Sequence, residues 1–400
     1  MTDRKKTGWM VIGAAAVISA ALTVNYAQMW RDDVIVPGPG VTQVKWLSDY
    51  HPDLKGTLGD TRVFVLEGKE PGGTFLVFGG THCDETAGLV AALMVVEHAT
   101  VQKGRVIVIP QLNNSGWTNN YPQEAHPQFI TIPQEKGPGR VFRFGSRMGN
   151  SGELWPDPEV FIQYPHRQKY SGEEIRNPNR AYPGRPDGTF QENVAYGIQM
   201  LHRKEHIDMQ LDLHEGQPEY PFVNAVSSHK RAADVGSGAV LEMQMADLNI
   251  GMETSPDSFR GLSNLEMGDM FPHLYAFTSE TMNPAQGKIR GITDEYLTVD
   301  GVDAFYDRAA QLGYLFAPWP KGGSSLAMRA GRNMQLIQSL TTSLGESKGI
   351  EIAWGDIPTY KDVMENGVGH YLNRVPADTE MPGIRALPGF WRYLSKSWYR

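Results

Sequence analysis

A single cysteine, Cys83, occurs in 400 residues, so the chain can hold no internal disulfide. Also lacking are a basic stripe, an internal repeat and a low-complexity tract. Acidic residues outnumber basic ones, 45 to 37, for a net charge of -8. Phosphate binding needs concentrated Lys and Arg, so nucleic acid is not an expected partner. Charged residues make up only 20% against 40% hydrophobic ones, a balance that fits a globular chain and not a disordered one. The length suffices for one large domain or two smaller ones with a sizeable core.

The N-terminus is of a different character. Residues 1–8 form a basic flank, with Arg4-Lys5-Lys6, and residues 9–30 run uncharged from Trp9 to Trp30 before Arg31-Asp32-Asp33. About twenty apolar residues are needed to cross a bilayer core as a helix, and Trp9 and Trp30 sit where interfacial aromatics belong. A transmembrane anchor is expected. A cleavable signal peptide is the alternative, although Asn25-Tyr26-Ala27 is a poor cleavage site. On either reading the rest of the chain is exported: periplasmic in a Gram-negative cell, secreted if the segment is cleaved.

Residues 31–60, rich in Pro, Gly and Asp, read as a linker. Strand-like runs follow at Arg62–Leu66, Thr74–Phe78 and Arg105–Ile109, with a helical stretch from Glu85 to His98 between the last two. Strand, helix, strand at this spacing predicts a βαβ unit, hence α/β architecture with a largely parallel sheet. Residues 113–188 are dense in Pro, Gly, Asn and Arg, and so long a loop is usually functional. Helices are expected around Phe190–Lys204, Arg231–Ala246, Val302–Phe316 and Ser324–Leu344, and strands at Met209–Leu213 and His273–Ser279. The tail Trp391–Arg400 interleaves aromatic and basic residues and reads as a docked terminus, with contact to a membrane surface as the alternative.

The most informative stretch is Gly79-Gly80-Thr81-His82-Cys83-Asp84-Glu85, at the end of an apolar run. Glycine lets the chain turn off a strand end, and a spacing of three puts His82 and Glu85 on one face of an incipient helix. An imidazole and a carboxylate side by side are two of the three protein ligands of a two-histidine, one-glutamate zinc shell. The third candidate is His214 in Asp212-Leu213-His214-Glu215, again at a strand end. Asp212 is placed to accept its second ring N–H, and Glu215 is the alternative ligand. His202, His206 and His229 have no partner motif and read as structural or surface residues. Cys83 reads as a small residue in a tight turn. Arg176-Asn177-Pro178-Asn179-Arg180 offers guanidinium and amide groups for a carboxylate. Glu280, ending the run Tyr275–Ser279, is a carboxylate whose surroundings can fit it for acid–base work.

In order and rough spacing these four motifs resemble the succinylglutamate desuccinylase/aspartoacylase family, a relative of the zinc carboxypeptidases, over roughly residues 60 to 320. The resemblance implies a three-layer αβα sandwich with a mixed, largely parallel central sheet. It implies one zinc ion per chain on His82, Glu85 and His214, and a substrate carboxylate held by Asn179 and Arg180, with Arg176 nearby. It also implies Glu280 as general base and acid, and Arg147, in Gly145-Ser146-Arg147, as the oxyanion-stabilising arginine. The catalytic domain would span residues 61–320, with an insertion at 148–176 carrying Trp155 and Tyr164, and a helical C-terminal extension over 321–400. The expected activity is amide hydrolysis on a small acyl amino acid or peptide with a free carboxylate. An N-acyl amino-acid deacylase is one form, and an exported metallocarboxypeptidase acting on peptides, as of the cell envelope, the other. A membrane-anchored zinc-binding protein without turnover is a third reading. Three features depart from the family: Cys83 in place of its usual glycine, the insertion, and a C-terminal region without the small β domain of the deacylases. The last departure favours a peptidase.

Overall fold

The computed structural model describes residues 3–121, 126–154 and 156–385; Trp155 and the tail Trp391–Arg400 lie outside the described residues. Its centre is a nine-stranded mixed sheet. The strands are β1 (Val41–Trp46), β2 (Arg62–Glu67), β3 (Glu70–Phe78), β4 (Thr100–Ile109), β5 (Met209–Gly216), β6 (Ala225–Ser228), β7 (Gly251–Thr254), β8 (Tyr275–Met282) and β9 (Ala353–Asp356). Their order is β1-β2-β4-β3-β5-β8-β6-β7, with β9 added beside β4. The central run β4, β3, β5 and β8 is parallel, and antiparallel pairings occur at β1/β2, β2/β4, β6/β8 and β4/β9.

Parallel strands covered on both faces read as continuous apolar runs, and Thr74–Phe78 is such a run. Phe75 and Val77 enter the core on one face, Leu76 and Phe78 on the other. The first face is covered by α2 (Thr86–Glu97), α4 (Ala233–Met245) and α6 (Leu326–Lys348), and the second by α3 (Phe190–Glu205) and α5 (Ser263–Met270). The architecture is the expected three-layer αβα sandwich.

Two boundaries differ from expectation. Residues 31–60 belong to the sandwich: β1 pairs with β2, and Leu47, Tyr50, Leu54 and Leu58 are buried in the second core. Glycine at position 38 serves close approach, since a Cβ there would lie 2.2 Å from the Glu97 carbonyl oxygen. The region after residue 320 is also no appendage. Ala330, Met334, Ile337 and Leu340 of α6 lie in the first core, and β9 extends the sheet. Spacing in the sequence marked both as peripheral because it carries no information on which distant surface a segment covers.

The preceding helix, α1 (Asp3–Gln28), has no buried residue and is apolar and long enough to cross a membrane. Its foot is fastened to the domain. Asp33 accepts from Arg143 Nε at 3.1 Å, Arg143 also donates to the Met29 carbonyl at 3.1 Å, and Arg385 pairs with Asp32 at 2.8 Å.

Because Ile337 is fully buried, Ile337→Ala in the full chain is expected to cost about 2–5 kcal/mol of stability. Denaturant titration checks this, and an unchanged midpoint would place α6 outside the cooperative core.

Candidate active site

Three strand ends meet at the carboxyl edge of the parallel run, where open α/β sheets place their ligands. The chain leaves β3 through Gly79-Gly80, and Gly80 has a φ of +67°, which L-residues with a Cβ rarely adopt. Asn113 N donates to Gly80 O at 3.0 Å and holds the turn. Glu85 then sits at the first residue before α2, three positions beyond His82. On β5, Met209, Leu211 and Leu213 enter the first core, so the strand's period of two sends Asp212 and His214 to the opposite face. The register sets Phe78 beside Asp212 and His214 beside Glu280.

His82, Glu85 and His214 are all buried. Asn177 Oδ1 lies 3.1 Å from His82 Nε2 and also accepts from Asn179 N at 2.9 Å. An oxygen in that role assigns the ring proton of His82 to Nε2 and leaves Nδ1 a lone pair. At His214, Nε2 faces Asp212 Oδ2 at 2.9 Å, so Nδ1 is again the open nitrogen. The two Nδ1 atoms face each other at 3.1 Å, with Glu85 Oε1 2.7 Å from the first and Oε2 2.9 Å from the second. Two imidazole nitrogens and a carboxylate converging on one point call for a cation between them. Ligand distances of 2.0–2.1 Å in a tetrahedral zinc site separate neighbouring donors by about 3.3 Å, close to this spacing. The donor set therefore fits zinc.

The proton balance fits as well. Burial and the neighbouring Arg147 lower the His82 pKa to about 4, so it is neutral at ordinary pH. Burial would raise the Glu85 carboxyl, but the two imidazoles hold it well below its usual range. Burial opposes charge on His214, yet the carboxylates of Asp212 and Glu85 outweigh it and hold its pKa well above the usual value.

Beneath the three residues lies a support that reaches α6. Glu215 N donates to Glu85 Oε2 at 3.0 Å, while the Glu215 carboxylate accepts from Ala87 N at 2.9 Å and pairs with Arg329 at 2.7 Å. Glu215 is thus committed to an ion pair and helix α2, and it is His214, not Glu215, that stands beside His82 and Glu85. Asp212 also accepts from Thr81 Oγ1 at 2.7 Å and Ser263 Oγ at 2.6 Å.

A cavity of about 400 Å³ opens over the triad, lined also by Arg147, Asn179, Arg180 and Glu280. Burial raises the Glu280 pKa to about 8, and the nearby Glu85 charge pushes the same way against the pull of His214. Arg147 Nη1 donates to His82 Nδ1 at 3.0 Å and lies 3.3 Å from Glu85 Oε1. Asn179 Oδ1 accepts from Ser263 N at 2.9 Å. Arg180 is clamped between the rings of Tyr170 and Phe259, 5.2 and 4.6 Å from its guanidinium carbon. Arg176 is not brought to the cavity. Its guanidinium is taken by Asp157, at 3.0 Å, and by the Gly149 carbonyl, at 2.9 Å. Proximity in sequence to Asn179 misled, because the chain turns between them. Cys83 is buried, its Sγ 3.2 Å from Asn113 O, and burial pushes its thiol pKa up, as befits a small residue in a turn.

No family model matches the chain, and no curated protein does. Solved structures do. The product-bound ectoine utilization protein EutE (DoeB) of Ruegeria pomeroyi is 19% identical, with 75% of this chain and 64% of that one covered and a TM-score of 0.40. An aspartoacylase family protein of Mesorhizobium loti is 19% identical, covering 55% and 56%, with a TM-score of 0.33. The tripeptide-bound cell shape determinant Csd4 of Helicobacter pylori is 14% identical, covering 76% and 59%, with a TM-score of 0.40. The chain spans less than two thirds of the length of each of the three.

Residues that sequence reasoning passed over include Asn177, which orients His82, and Tyr170 and Phe259, which clamp Arg180. Asn177 stood inside a quoted motif, and its neighbour Pro178 at the start of a short helix marks a capping position. Nothing in the sequence signals the aromatic pair.

Metal binding must displace the His214 proton. The competing proton leaves as pH rises, so zinc affinity is expected to increase with pH, by roughly tenfold per unit for each proton released. Calorimetric titration in buffers of different ionisation enthalpy counts that proton. Uptake without proton release would contradict the assignment at His214.

Proposed function

We propose that this chain is a zinc-dependent hydrolase that cleaves an amide bond in a carboxylate-bearing substrate, a relative of the succinylglutamate desuccinylase/aspartoacylase family. The observation carrying this reading is the convergence of His82 Nδ1, His214 Nδ1 and Glu85 in the cavity that also holds Glu280 and Arg180. A zinc ion held by those three side chains would supply a Lewis acid that acidifies water and polarises a carbonyl.

The remaining chemistry belongs to the protein. No described group hydrogen-bonds the Glu280 carboxylate, and its pKa of about 8 suits a group that takes a proton from water and passes it to a leaving nitrogen near neutral pH. Arg147, already against His82 and Glu85, brings positive charge to the point where a tetrahedral oxyanion develops. Arg180 and Asn179 orient the substrate by its carboxylate. The rings of Tyr170 and Phe259 fix the guanidinium plane and reduce the entropy lost on binding. Tyr170 belongs to the 148–176 insertion, which therefore helps to shape substrate recognition.

A deacylase and a carboxypeptidase use the same machinery. The second is favoured by the folding of residues 321–385 into the sandwich, with no separate small β domain among the described residues. Helix α1 with its basic flank supports a membrane anchor and an exported catalytic domain.

Glu280→Gln is expected to lower kcat by roughly 10²–10⁴ while zinc content stays at one per chain. The measurement is a screen of acyl amino acids and peptides with the zinc-loaded full chain. Undiminished turnover in the variant, or active protein free of metal, would overturn the reading.

A further inference from the structure

The loop that leaves β8 turns back over the triad. Asn283, fully buried, fastens it. Its N donates to the Gly216 carbonyl at 2.8 Å, and its Nδ2 to the Asp84 carbonyl and Glu215 Oε2, both at 3.2 Å. Its Oδ1 accepts from Ala285 N at 2.9 Å, and its carbonyl from Gln286 N at 3.3 Å. Backbone groups and Asn283 thus hold the turn without the Gln286 side chain. That side chain is presented to the cavity instead, where Nε2 donates to Glu85 Oε1 at 2.9 Å.

The Glu85 carboxylate needs such a partner. The last torsion of a glutamate is broad, so the group keeps one orientation only where both oxygens are held. Glu215 N, fixed in β5, donates to Oε2 at 3.0 Å, and Gln286 takes Oε1. Arg147 Nη1 is farther from Oε1, at 3.3 Å, and is shared with His82 Nδ1. With the two oxygens fixed from opposite ends, Oε1 faces His82 Nδ1 and Oε2 faces His214 Nδ1.

We infer that Gln286 is a positioning residue of the metal site, its amide locking the plane of the Glu85 carboxylate. The inference rests on the reading of His82, Glu85 and His214 as zinc ligands and adds a further residue to that site. Glu280 and Gln286 lie six positions apart, so one strand end and its turn deliver both the base and the positioning amide. Without the amide the carboxylate rotates and is hydrated, and metal binding must then meet the cost of ordering it.

The test uses the full chain in detergent and two probes, zinc and cobalt(II). Zinc affinity is measured by competition with a chromophoric chelator, and coordination by the visible absorption of the cobalt form. Gln286→Met keeps the length of the side chain without its donor, and Gln286→Ala removes both. Gln217→Met, at another cavity-lining glutamine, is the control. Both Gln286 variants are expected to bind zinc roughly 10–100-fold more weakly and to show an altered cobalt spectrum. The melting temperature of their metal-free forms and the zinc affinity of the Gln217 variant are expected to stay unchanged. Affinity or spectrum unchanged in both Gln286 variants overturns the inference and leaves the zinc reading standing. So does an affinity loss shared by Gln217→Met or matched by a lower melting temperature without metal. Wild type that takes up neither metal overturns the zinc reading itself, and the inference with it.

Discussion

Two imidazole lone pairs and a carboxylate held about 3 Å apart in a buried site repel one another unless a positive charge lies between them. That constraint organises the surrounding structure. Asp212 and Asn177 each take the outer nitrogen of one histidine, which turns both Nδ1 atoms inward. The rings then have one useful orientation, as outer-shell partners of metal-binding histidines impose. Whether the charge is a proton on His214 or a divalent ion, the geometry is prepared for it.

Preorganisation of this kind needs a stiff base, and the base is built from buried polar groups with their partners supplied. Glu215 and Arg329 are fully buried and paired, and the same glutamate ties α2 and, through its backbone, Glu85. Removing one member would leave an uncompensated charge in the core. Helix α6 is thereby connected to Glu85 through one intermediate residue, Glu215. This gives α6 a part in positioning as well as in covering the sheet.

The cavity has a polarity of its own. Two arginines, Arg147 and Arg180, and the carboxylates of Glu280 and Glu253 line it together. The cavity lining therefore carries both signs of charge. Electrostatic complementarity of this sort contributes more to specificity than to affinity. The insertion contributes through Tyr170, a contact that a loop of irregular sequence gives no means of anticipating.

Local features were legible because their causes are local. The apolar run of β3, the turn at Gly80, the three-residue step from His82 to Glu85 and the strand-end setting of His214 and Glu280 follow from steric limits and from periods of two and 3.6. These residues sufficed to predict an αβα sandwich and to mark His82, Glu85 and His214, which the fold gathers in one buried group. What only the tertiary structure decided depends on contacts between distant segments. The register pairing Phe78 with Asp212 and His214 with Glu280 brings the site together. Packing chose Arg147 over Arg176 for the cavity and placed residues 31–60 and α6 inside the fold. Spacing along a chain constrains neighbours within a turn or a strand, but which surfaces meet is decided by burial of the whole.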